Sequence, residues 1–182
     1  MKLYLKISSL IVVLALTFIA CDSNASLQKY YVESKENNEF ISIDIPSSIL
    51  QLKDTEVSEN IKNTLETIKK VNFLALQLTD TNKELYDSEK VKVNAILKNP
   101  KYKQLMRMNI GKGNVNVSYM GEENAIDEVI IFGSDNKKGF AVIRVIGDNM
   151  NPSEIMKLAN EIKLDGDSGQ MNQLKGLLSS IK

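Results

Sequence analysis

Cys21 is the only cysteine in the chain, and there is no histidine to partner it. A lone thiol can serve as a nucleophile, a metal ligand, half of an intermolecular disulfide or an attachment point for another group. The nucleophile needs a base or a nearby positive charge to make its thiolate, and histidine cannot supply one here. His-based triads, Cys–His dyads, zinc sites of the usual N/S type and histidine-ligated haem fall away with it. No metal and no cofactor is expected. Carboxylates, lysines and hydroxyls remain. Glu122/Glu123 and Asp127/Glu128 are adjacent acids, but neighbours on a strand point to opposite faces, so Asp127 and Glu128 cannot address one substrate together. Both pairs are expected on the surface. "GKG" at 111–113 lacks the Walker spacing and the strand-to-helix setting of a phosphate loop, and reads as a hairpin turn. "DGDSG" at 165–169 begins like a calcium loop, but Gly169 and Gly176 stand at its fifth and twelfth places, so it reads as a solvated loop. Arg144 stands out among the apolar residues of "FAVIRVIG". Alternation puts it on one face with Phe140, Val142 and Ile146, where it must pair with a carboxylate or lie partly exposed. A salt bridge is the first reading, and contact with an anionic partner the second.

The surroundings of Cys21 speak to attachment. Lys2 and Lys6 precede "ISSLIVVLALTFI", thirteen residues without a charge. That run is short for a helix spanning the bilayer, which takes about 20 residues, and it fits the h-region of an export signal. Ala20 is the small residue before the cut and Cys21 follows it. The arrangement resembles the bacterial lipoprotein signal, in which the cysteine is acylated and becomes the mature N-terminus. Phe18 stands where that pattern prefers a Leu-like residue. The resemblance implies a signal over residues 1–20, three acyl chains on Cys21, and a short tether to residue 26. At about 0.8 kcal/mol per buried CH₂, such an anchor is effectively permanent. The five residues 22–26 extend at most ~17 Å, which keeps the following domain near the membrane. Asp22 favours the inner membrane under one bacterial sorting rule that other phyla do not follow, so either membrane stays open.

Removing residues 1–20 from the 182 leaves 162, enough for one domain with a core. Two lysines go with them, so 21 basic residues face 23 acidic ones. Arg107 and Arg144 are the only arginines. A near-neutral, arginine-poor chain lacks the electrostatic footprint of a nucleic-acid binder.

The elements that would position these residues follow from periodicity. "SLQKYYVES" (26–34) is a helix capped by Ser26, and "FISIDIP" (40–46) an alternating strand stopped by Pro46. "SSIL" makes one helical turn. Val57, Ile61, Leu65 and Ile68 make a helical stripe over 55–70. "VNFLALQLT" (71–79) is apolar on both sides and should be a central strand, and residues 82–100 are helical. Strands at 102–110, 114–120, 126–132 and 139–147, joined by Gly- and Asn-containing turns, should form an antiparallel meander. Asn151 caps a helix over 151–162. Residues 168–182 offer Met171, Leu174, Leu177, Leu178 and Ile181 on one face of a last helix, docked on the core or presented to a partner or the membrane. The expected class is α+β: a mostly antiparallel sheet of about six strands, helices on one face, and a single domain over 27–182.

The signal, "SLQKYYVESKENNEFISIDIPSSIL", "VNFLALQL" and "FAVIRVIGDNMNPSEIMKLA" together resemble a family of Bacteroidetes cell-envelope lipoproteins, the domain-of-unknown-function 4252 type. The resemblance implies a bacterial envelope location and a small α+β domain, and it brings no active-site residues. Two functions are carried forward. One is a non-enzymatic, membrane-anchored binding or adaptor module with an envelope protein partner. The other is a small-ligand-binding or carboxylate-based hydrolytic envelope protein.

Overall fold

The computed structural model describes residues 26–50 and 58–161. Helix α1 (Leu27–Lys35) starts at Ser26, whose hydroxyl accepts from the Lys29 N–H at 3.1 Å. Such a bond satisfies one of the orphan donors of the first turn. Leu27, Tyr30, Tyr31 and Ser34 form its buried stripe. Strand β1 (Phe40–Pro46) runs into the one-turn α2 (Ser47–Leu50). Helix α3 (Glu59–Thr67) gives way at once to β2 (Ile68–Gln77). The strand therefore takes Ile68–Lys70 from the expected helix. Leu65 and Ile68 are both buried, and Ile68 pairs with Gly147 of the sheet, so β-pairing outweighs three more residues of helix. Residues 55–57 of that expected helix lie outside the described residues. Helix α4 (Lys83–Leu97) buries Tyr86, Val93, Ile96 and Leu97.

The meander comprises β3 (Lys103–Ile110), β4 (Gly113–Glu122), β5 (Ala125–Asp135) and β6 (Gly139–Met150). "GKG" supplies its first turn, with Gly111 at φ 59°. Glycine first in a two-residue hairpin loop matches the twist of the flanking strands. Helix α5 (Pro152–Glu161) closes the described chain, and Asn151 Oδ1 accepts from the Ser153 N–H at 2.9 Å. The six strands form one sheet in the order β1-β2-β6-β5-β4-β3. Every pairing is antiparallel. The α+β class and the antiparallel meander stand as expected.

In register, Phe40, Leu76, Phe140 and Ser134 form one row across the sheet, and Asp44, Asn72, Arg144 and Ile130 another. This face carries the expected layer of helices: Tyr30 and Tyr31 of α1 and Tyr86, Val93 and Ile96 of α4 pack on Leu74, Leu76, Ile130 and Phe132. A second pair of helices, α3 and α5, packs on the opposite face at one end, over Val117 and Val129. Both faces of the central strands are apolar, so each draws cover.

Candidate functional site

Arg144 stands on β6 between two buried polar groups. Ile130 faces it in register, and Glu128 lies two residues along on the same side of β5. The guanidinium donates from Nε to Glu128 Oε1 at 2.7 Å and from Nη2 to Oε2 at 3.0 Å, a bidentate pair. Its Nη1 donates to Gln28 Oε1 of α1 at 2.8 Å. Arg144 is 4% exposed and Glu128 5%. Of the two outcomes that alternation allowed for Arg144, the structure shows the carboxylate partner, Glu128, expected on the surface and found inside. Its neighbour Asp127 is exposed, as the opposite-face argument requires. The signal for Glu128 was its place in "IDEVIIF", on the same parity as Ile130 and Phe132 of the α1–α4 face.

Across the β2–β6 pairing Arg144 faces Asn72, and Asn72 faces Asp44 of β1. The Asn72 amide donates to Asp44 Oδ1. The Tyr31 hydroxyl donates to the same oxygen at 2.9 Å, and Lys35 Nζ to Oδ2 at 2.7 Å. Burial on its own would raise the Asp44 carboxyl; hydrogen bonds from Lys35 and Tyr31, with the charges of Lys35 and Lys70, outweigh it and hold the group below its ordinary range. Burial pushes the Tyr31 phenol well above its usual value, and Asp44 pushes it the same way. Sequence reasoning passed over Asn72, although it was the one polar residue in "VNFLAL". Every charge in this network has its partner, and the arrangement is built to hold α1, β1, β2, β5 and β6 together rather than to move a proton.

The other end of the sheet is different. A cleft of about 550 Å³ opens on the face opposite α1 and α4, floored by Ile41, Ala75, Ala141, Gly133 and Val115. That volume lies within the usual range of ligand sites. Short side chains in three adjacent strands make the depression. Its rim is the β5–β6 turn, where Asp135 Oδ1 accepts from the backbone N–H groups of Lys137 and Lys138 at 2.7 and 3.2 Å. The carboxylate is used in fixing the turn. The Tyr86 hydroxyl donates to the Asp135 carbonyl at 3.1 Å, tying the rim to α4. The cleft went unnoticed in the sequence because Ala75, Gly133 and Ala141 come together only through strand register.

Ala20, Cys21, the 165–169 loop and Leu174, Leu177 and Leu178 lie outside the described residues. Glu122 and Glu123 are exposed at the β4–β5 turn. Among the described residues no three His, Cys, Asp or Glu side chains gather to hold a metal ion, and no helix is long and apolar enough to cross a membrane. The family model of a domain of unknown function, DUF4252, matches residues 30–158. The chain belongs to the DUF4252 family. The match runs from α1 into α5, so the DUF4252 unit contains the whole sheet, the cleft and the Arg144 network apart from Gln28. No curated protein and no solved structure matches the chain.

Proposed function

We propose that this protein is a bacterial envelope lipoprotein, exported, acylated at Cys21, and acting without catalysis as a binding module at the membrane surface. The cleft is its site, and an apolar segment of an envelope protein is its partner. The observation that carries this reading is the make-up of the cleft: an apolar floor whose one lining carboxylate among the described residues, Asp135, is taken up by its own turn. Such a surface can bury an apolar chain but holds no pair of groups for acid–base work. The short tether supports the reading, since it keeps the cleft within reach of membrane-bound partners. A second reading, uptake of a small apolar ligand, is favoured by the cleft volume of about 550 Å³.

The anchor is tested by Cys21→Ala, which should abolish acylation and retention in the membrane fraction; a mutant that stays there unchanged contradicts it. The binding role is tested by crosslinking in living cells and purification of the acylated protein. A protein recovered in near-equal amount, and lost when Gly133→Ile fills the cleft floor, is the expected result. Among the described residues a Cβ added at Gly133 meets only Val115 Cγ2 at 3.9 Å, so the backbone accepts a side chain there, and urea unfolding of Gly133→Ile checks that the variant folds. A co-purifying protein indifferent to Gly133→Ile rules out the cleft as its site.

A further inference from the structure

Strand β3 ends the sheet and pairs only with β4, so among the described residues no strand lies on its other side. Alternate residues of such an edge aim N–H and C=O groups outward, a template for another strand, and bulges or charges commonly blunt it. Here the bulge falls between Gln104 and Met106, and Met106 to Ile110 pair with β4 in unbroken register. Leu105 is 41% exposed and Met108 37%, two of the four large apolar side chains exposed among the described residues. Register sets Met106 and Met108 beside Val117 and Val115, on the cleft side of the sheet. Arg107 lies beside Asn116, in the row of Phe132 on the α4 side. The charges of this edge have one sign. From Lys98 to Gly121 the chain carries Lys98, Lys101, Lys103, Arg107 and Lys112 and no Asp or Glu. Arg107 and Lys112 are exposed and make no ion pair with a described residue. None of the β4 and β5 residues in register with Gln104–Asn109 is acidic.

We propose that the β3 edge is a strand-addition site for an extended segment of another protein, one that alternates acidic and apolar side chains. Charge decides against a second copy of this chain. Pairing two β3 edges would bring Lys103 and Arg107 of one copy against the same positive edge of the other, and like charges across paired strands are destabilising. An acidic strand turns that repulsion into attraction. Main-chain hydrogen bonds to Met106–Ile110 supply affinity, and alternate side chains supply selectivity. Apolar side chains lie beside Met106 and Met108 on one face, and carboxylates meet Arg107 on the other. The edge is one strand away from Val115 of the cleft floor, so an added strand continues the face that carries the cleft. The inference goes beyond the proposed function and depends on neither Cys21 nor the occupant of the cleft.

Synthetic octapeptides test it on the full-length protein in detergent, one alternating Glu and Val and one alternating Lys and Val. The Glu/Val peptide should bind, more weakly as salt rises, and the Lys/Val peptide should not. With the Glu/Val peptide bound, amides of 106–110 should exchange with solvent about 10-fold or more slower, while those of β1, the opposite edge, keep their rates. A Glu/Val peptide methylated at every backbone nitrogen keeps the charge but cannot donate to a strand, so it should not bind. Arg107→Glu should weaken binding of the Glu/Val peptide about 10-fold; Arg107 is exposed, and circular dichroism checks the fold of the variant. Equal binding by the methylated or the Lys/Val peptide, protection at β1 in place of β3, or no binding of the Glu/Val peptide at about 1 mM overturns the proposal. A dimer in sedimentation, with 106–110 already protected before peptide is added, would give the edge to a second copy and overturn it too.

Discussion

Arg144 and Glu128 are two opposite charges taken out of water together. Removing one leaves the other buried without a partner, which typically costs about 3–5 kcal/mol. Arg144→Ala should therefore lower the free energy of urea unfolding by that amount, while Arg144→Met combined with Glu128→Leu should recover most of it. If the double variant is as unstable as the single one, the loss lies in packing and not in the orphaned charge. Asp44 makes a prediction in pH. Its carboxyl titrates lower in the folded protein than in the unfolded chain, so the stability it confers is present above about pH 4. That stability is lost as pH falls through the folded value. Asp44→Asn should be less stable at neutral pH and should show a shallower decline on acidification, measured by urea unfolding between pH 2 and 7. Equal pH slopes in the two proteins would contradict the assignment. Arg144 announced itself in the sequence because a charge in an apolar strand needs an explanation. Its partner did not, since the diagonal between β5 and β6 depends on a register that no local pattern encodes.

Strands and turns make their own predictions. Gly139 begins β6 at φ 127°, and a Cβ there would lie 2.1 Å from the Leu76 carbonyl oxygen. Gly111 also has positive φ, 59°, but open space around it. Gly139→Ala should thus cost about 3 kcal/mol or more, since backbone strain and a clash combine, and Gly111→Ala only about 1–2 kcal/mol. Thermal unfolding of the two variants ranks them, and a reversed order would show that the β5–β6 junction yields. The strands themselves were legible from alternation and glycine-bearing turns, and Ser26 and Asn151 were legible as caps. The boundary at Ile68 was not. The apolar stripe of α3 continues into β2 without a breaker, and only pairing with β6 decides where the helix stops.

At the scale of the molecule, one antiparallel sheet serves two ends differently. The end bearing Asp44, Asn72, Arg144 and Glu128 is locked by paired charges beneath α1. The other end presents small apolar residues to an open cleft. The class of fold followed from the order of elements, but the cleft did not, because its floor draws one residue from each of five strands. Cys21, placed only by its sequence motif, would tether this domain to a membrane with the cleft as its working surface. Photo-crosslinking in cells tests that claim most directly, with the reactive residue at Ile41 on the cleft floor or at Val91 on the outer side of α4. The account predicts one specific adduct from position 41, absent from position 91 and lost in the Gly133→Ile background. The same adducts from both positions, or none from position 41, would contradict it.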